Sequence, residues 1–231
     1  MIKLAPVLLA ILYALVMWRF SVWRTARMLD AQSTPLTDPA ILRLTDRMAE
    51  ALEVERIKVH VFEIEAVNGL AVADGRIFLT RGFLNRKARG EVTAEELASV
   101  IAHELGHVAL DHTRRRMIDF TGQNAVFVML SALLNRFIPV LGVWIANLIS
   151  TALMARISRR DEFEADAYAS ALLVKSGIGT APQKSLFRKL SALTGHAGAG
   201  IPAWLLSHPK TEERIKAIEA NEARWTPRAL P

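Results

Sequence analysis

Thr93-Ala-Glu-Glu96-Leu-Ala-Ser-Val-Ile-Ala-His103-Glu104-Leu-Gly-His107-Val-Ala-Leu-Asp-His112 is the stretch on which the reading of the chain turns. Thr93 with Glu96 three residues later forms a capping box, so a helix opens there. Leu97, Ile101 and Leu105 recur every four residues as an apolar stripe, and the helix is predicted to run to about His112. His103 and His107 are four apart and share a face, so both imidazoles can reach one metal ion in a His-Glu-x-x-His pattern. Glu104 lies about 100° further round the helix. That places its carboxylate beside the position a metal leaves open, where it can hold and deprotonate a water.

A catalytic zinc needs a third protein ligand and an open fourth position. The chain has no cysteine, so disulfides and thiolate ligands are excluded and the ligands must be His and carboxylates. Leu110 and Thr113 stand where the extended metzincin motif needs Gly and His, which excludes that class. His112 is expected about 180° from His103, pointing off the metal face and hydrogen-bonding near the helix end. His60 in a strand and His196 in a Gly/Ala-rich loop are set aside as ligands. Ser158-Arg-Arg-Asp-Glu-Phe-Glu-Ala-Asp-Ala-Tyr168 offers better donors. Glu162 and Asp166 share one helical face, while Glu164 points nearly the opposite way. A solvated acidic face paired with Arg159 and Arg160 would not be interleaved with Phe163, Ala165, Ala167 and Ala169. One carboxylate here can ligate the metal while a second orients an imidazole.

Working outward, Thr37 or Asp38 can cap a helix with Pro39 in its first turn, running to about Glu53. Residues 57–65 alternate apolar and polar as a half-buried strand. Segments 70–73 and 76–80 flank Asp74-Gly75 as a β-hairpin. Helices are predicted from Ser158 to Gly177 and around 181–194 and 210–222. The expected fold is α+β and mainly helical, with a small antiparallel β-hairpin or sheet. Residues 4–18 are uninterruptedly apolar, and extended to Trp23 they are long enough to span a bilayer as an uncleaved N-terminal anchor. Trp18, Phe20 and Trp23 would form its interfacial belt. The expected organisation is therefore an anchor over 1–23, a linker over 24–36 and a catalytic domain over 37–231.

Hydrophobic residues make up 52% of the 231 residues, and the excess sits in 4–18 and 125–155, which argues for membrane contact rather than a larger core. The formal net charge is +6, carried in clusters such as Arg114 to Arg116 beside apolar segments. Such clusters suit anionic lipid headgroups, and no nucleic-acid-binding motif accompanies them. Residues 137–155 could cross a membrane by length. His103 and His107 precede them and Glu162 follows, so an odd number of crossings cannot bring all three to one ion. The cleanly apolar part of the return stretch, 125–134, covers about 15 Å as a helix, roughly half the hydrocarbon thickness. A helical hairpin over about 118–156 is expected, packing on the domain or dipping part-way into the bilayer, with two full crossings as the alternative.

His-Glu-Leu-Gly-His, then Glu162-Phe-Glu-Ala-Asp166, then Ser207-His-Pro-Lys-Thr-Glu-Glu-Arg-Ile215 resemble the HtpX-like and CAAX prenyl protease family of zinc endopeptidases. Residues 68–79 are similar to that family as well, so the likeness covers about 40–220. The resemblance implies a zincin-like domain of gluzincin type with one Zn2+. It implies His103, His107 and Glu162 as ligands, Glu104 as catalytic base, Asp166 beside them, and His208 and Arg214 near the catalytic centre. The prenyl-protease branch has many membrane spans and this chain too few. The implied function is a small bacterial-type endopeptidase of membrane protein quality control, in the inner membrane with its domain on the cytoplasmic side. Its partners would be unfolded or extended polypeptides and membrane lipid. Residues 76–80 could bind substrate by edge pairing. The competing reading is a membrane-bound chaperone or adaptor that keeps zinc for structure alone.

Overall fold

The computed structural model describes residues 4–72, 74–139, 141–194, 208 and 211–225. Ala73, His196, Ser207 and Pro209 lie outside them. In chain order the elements are α1 (Leu4–Ala31), β1 (Ser33–Pro35), α2 (Pro39–Leu52), β2 (Val59–Phe62), β3 (Gly69–Ala71) and β4 (Ile77–Thr80). They continue with α3 (Arg81–Ala88), α4 (Ala94–Ala109), α5 (His112–Phe137), α6 (Leu141–Lys175), α7 (Ala181–Thr194) and α8 (Thr211–Trp225).

Local chemistry starts the helices where the sequence asks. Asp38 accepts from the backbone N–H groups of Ala40 and Ile41 at the head of α2. Thr93 Oγ1 accepts from the Glu96 N–H at 3.2 Å, and Glu96 Oε2 accepts from the Thr93 N–H at 2.8 Å. These bonds satisfy backbone donors that a helix start leaves orphaned. Glu96 also receives Lys189 and Ser185 from α7, tying α4 to that helix. The core forms where α2, α4 and α7 bury their apolar faces: Ile41, Leu44 and Met48 pack with Leu97, Ile101, Leu186, Phe187 and Leu190.

The sheet differs from expectation. Its order is β1-β2-β4-β3, with β2 and β4 parallel and the other two pairs antiparallel, so it is mixed. The reason is the connection: the chain leaves β2, forms β3 on the far side, and returns as β4 between them. The segment read as a linker over 24–36 is also ordered. α1 runs through to Ala31, and Leu29 is buried with Phe62 and Phe78. Ser33 to Pro35 pair with β2.

α5 and α6 pack on each other over the stretch read as an apolar hairpin, and the second of the two is one continuous helix. α6 runs unbroken from Leu141 to Lys175, where a separate helix had been expected to start near Ser158. No proline and, after Gly142, no glycine interrupts it. Much of the apolar surface described along these two helices lies open. Val128, Met129, Leu133, Phe137, Trp144 and Leu148 are all exposed. Among the described residues one helix, Leu141–Lys175, is long and apolar enough to cross a membrane by length and composition, beside the shorter apolar stretch Val126–Phe137.

Candidate metal centre

Two helices cross closely enough to share a site because Gly106 has no side chain. A Cβ there would lie 2.9 Å from the Ala165 carbonyl oxygen and 3.0 Å from the Ala165 Cα. This contact places the turn of α4 that bears His103 and His107 against the turn of α6 that bears Glu162 and Asp166. His103 Nε2 and His107 Nε2 are 3.1 Å apart. Glu162 closes the triangle, with Oε2 3.4 Å from His103 Nε2 and Oε1 3.5 Å from His107 Nε2. Ligand atoms about 2.0–2.2 Å from a tetrahedral zinc are spaced about 3.3–3.6 Å apart, so the donors fit such an ion in type, the two distances to Glu162 fall in that range and the two imidazoles stand slightly closer.

The surroundings hold the donors in charge states and orientations set by burial and partners. Asp166 Oδ1 lies 2.9 Å from His103 Nδ1, which leaves Nε2 to face the other donors. Burial opposes a charge on His103, but the hydrogen bonds to Asp166 and Glu162 outweigh it and raise its pKa to about 9. Burial pushes the Glu162 carboxyl up, yet its bonds to His103 and His208 hold it far below the usual carboxylate range. Asp166 is likewise held low against burial, here by Arg214 first. Arg214 is almost wholly buried and grips Asp166 with two bonds, Nε to Oδ2 at 2.5 Å and Nη2 to Oδ1 at 2.7 Å. Its Nη1 donates to the His208 carbonyl at 3.2 Å, and its guanidinium lies 4.4 Å from the centre of the Phe187 ring.

His208 is buried beside this cluster. Its Nδ1 lies 2.5 Å from Glu162 Oε2 and 3.3 Å from His103 Nε2, so it joins the three donors in one group. Its Nε2 faces Glu104 Oε1 at 3.6 Å. Glu104 Oε1 is buried and accepts no hydrogen bond among the described residues. On its other side is Gly69 at the start of β3, where a Cβ would strike Val100 at 2.6 Å and lie 3.6 Å from Glu104 Oε1.

His112 hydrogen-bonds near the end of α4 as expected, but it does so from a position the sequence reading did not give it. α4 ends at Ala109, and Asp111 takes a left-handed conformation (φ 53°), turning the chain back on itself. His112 therefore opens α5 and points inward, with Nδ1 2.8 Å from His107 Nδ1. Its Nε2 meets Glu164 Oε2 at 3.3 Å, and Glu164 also receives Arg115 at 2.7 Å and Arg160 at 2.7 Å. Burial opposes it, but these partners, Arg115 foremost, lower the Glu164 pKa to about 2. Glu164 does leave the face of Glu162 and Asp166, yet it faces a second histidine instead of solvent alone. Gln183 was also missed: buried on α7, it approaches Asp166 Oδ1 at 3.5 Å. Only its polarity within the apolar register of α7 could have flagged it.

With this geometry in place, residues 35–222 match the model of peptidase family M48. The chain belongs to that family. That family is one of peptidases, and the His and carboxylate donors brought together here are of the type a metal centre uses. The M48 chain is 28% identical over 195 residues to metalloprotease LoiP of Escherichia coli strain K12, covering 82% of this chain and 74% of LoiP. It is 28% identical over 172 residues to the mitochondrial metalloendopeptidase OMA1 of Schizosaccharomyces pombe, covering 74% of this chain and 47% of that protein. Against protease HtpX of Xanthomonas euvesicatoria the identity is 25%, over 84% of this chain and 76% of HtpX. The chain thus spans about three-quarters of LoiP and HtpX but less than half of this OMA1.

Proposed function

We propose that this M48 protein is a zinc-dependent metalloendopeptidase of gluzincin type, held at a membrane, that cuts extended or unfolded polypeptide segments. The observation that carries the reading is Glu104 Oε1, buried without a hydrogen bond beside His103, His107 and Glu162. A buried carboxylate oxygen left unbonded is costly, and a base waiting for a water accounts for it.

His103, His107 and Glu162 would hold the zinc, which when bound acts as a Lewis acid toward the scissile carbonyl and acidifies a water. Glu104 takes the proton from the attacking water and passes it to the departing amine. His208 Nε2, facing Glu104, donates to the developing oxyanion. Arg214 joins the His208 backbone to Asp166, so one side chain steadies both the donor above the site and the partner of His103.

Edge pairing with substrate falls to a different strand from the one expected. β4 is internal in the sheet, and among the described residues β3 is an edge strand, the one beside Glu104. Backbone bonds along β3 would accept any extended chain, which supports a preference for unfolded segments. The exposed apolar hairpin and α1 support membrane attachment, with quality control at the bacterial inner membrane and a cytoplasmic domain as the setting. A second reading, a non-catalytic zinc-bearing chaperone or adaptor, is favoured by one observation: His208 Nδ1 could close the site as a fourth ligand.

Zinc analysis with casein cleavage, run with and without chelator, separates the two. The parent should carry about one zinc and lose cleavage on chelation. Glu104→Gln should keep the zinc and lose activity by about 100-fold or more. A parent that binds zinc and never cleaves would favour the adaptor, and a Glu104→Gln variant that loses its zinc would make Glu104 a ligand.

A further inference from the structure

The two histidines of the motif are oriented by different means. His103 meets a carboxylate directly through Asp166. On its Nδ1 side His107 meets His112, and beyond that ring stand the carboxylates of Glu164 at 3.3 Å and, further off, Asp161 at 4.0 Å. Two imidazole nitrogens at 2.8 Å can share only one proton. If His107 offers Nε2 to the metal, its Nδ1 carries the hydrogen and donates it to His112 Nδ1. His112 must then carry its own hydrogen on Nε2, where Glu164 Oε2 stands 3.3 Å away to accept it. Every atom in the chain has one permitted role. Arg115 and Arg160 fix the far end by holding Glu164 from two sides.

We infer that His112 is a positioning residue for the metal: it orients His107 and fixes its tautomer through a relay that ends on Glu164. It touches neither substrate nor ion. The fold devotes an unusual feature to it, a left-handed non-glycine residue at Asp111, which returns the chain so that a ring pointing away on a continued helix instead lies buried against His107. A ligand's outer partner changes metal affinity about 10–100-fold when removed. The inference rests on the reading of His107 as a ligand.

The test is zinc affinity, measured by competition with a chromophoric chelator, alongside the unfolding temperature of the metal-free protein. His112→Leu fills the space but accepts no hydrogen bond, and should weaken zinc binding about 10–100-fold. His112→Asn presents an amide oxygen near the place of Nδ1 and should restore affinity to within a few-fold of the parent. Glu164→Ala, which removes the far end of the relay and leaves His112 in place, should weaken binding less than His112→Leu, and Glu164→Gln less again. Ring nitrogen resonances of the zinc-loaded parent should show His107 protonated on Nδ1 and His112 on Nε2. The inference falls if Leu and Asn behave alike, if the Leu variant lowers only the unfolding temperature, or if His112 carries its proton on Nδ1. If His107→Ala leaves zinc binding intact, the ligand assignment itself has failed, a separate outcome from a relay that does not matter.

Discussion

Arg214 is the largest fully buried side chain described, and its charge is matched by Asp166 through two bonds. Breaking one side of such a pair strands the other in a medium that solvates it poorly, at a cost of about 3–5 kcal/mol. Arg214→Ala should lose that much stability in urea unfolding of the metal-free protein. Lysine should rescue it only in part, because an ammonium cannot make the paired fork. A loss below about 1 kcal/mol would mean that water enters the gap and screens Asp166. Glu164 carries a pH dependence of known sign. Its pKa falls from 4.5 to about 2 on folding, so its contribution is complete above pH 4.5 and disappears as pH drops toward 2. Glu164→Gln should therefore narrow its stability gap to the parent across that window, as read by unfolding temperature in a pH series. That Glu162 and Asp166 share a face against Glu164 was legible because helical spacing fixes it. The inward turn of His112 was not, since nothing in Leu-Asp-His marks Asp111 for a left-handed conformation that Gly or Asn more often adopts.

At the scale of elements, the Gly106 crossing makes a direct prediction. Alanine usually stabilises a helix by about 1 kcal/mol over glycine, but overpacking a tight contact costs about 1–3 kcal/mol. With Ala165 backbone 2.9 Å from the added atom, the second effect wins. Gly106→Ala should drive α6 outward and weaken metal binding more than it weakens the fold, as seen by comparing zinc affinity with unfolding temperature. Thr93→Ala removes one half of the capping box and should cost about 1 kcal/mol, with metal affinity unchanged. The α4 start was readable because all its parts lie within four residues. The parallel pairing of β2 with β4 was not, since register between strands separated by a third is set by packing beyond the reach of local pattern. β1 is too short, and too poor in apolar alternation, to announce itself.

At the scale of the molecule, the ordered end of α1 sets where an anchor could be removed. Leu29 belongs to the cluster with Phe62 and Phe78, so a truncation of residues 1–23 should spare the fold while one reaching past Leu29 should unsettle the sheet. The shorter truncation should still bind vesicles containing anionic lipid, in a salt-sensitive manner, through the hairpin and Arg156, Arg159 and Arg160 at its base. A truncated protein that stays in the supernatant with such vesicles at low salt would deny the hairpin that role. The hairpin has one more consequence. The start of α6 at Leu141 lies about 30 Å along that helix from Glu162 by helical rise. The connection between α5 and α6 joins the part of the chain that holds His103 and His107 to the part that holds Glu162 and His208. A single cut there would leave each fragment with half of the donors and neither with a complete set. The packing of α4 and α5 on α6 would nevertheless keep the halves together. The protein should thus work as two separately made pieces, each inert alone, regaining metal binding and cleavage on mixing.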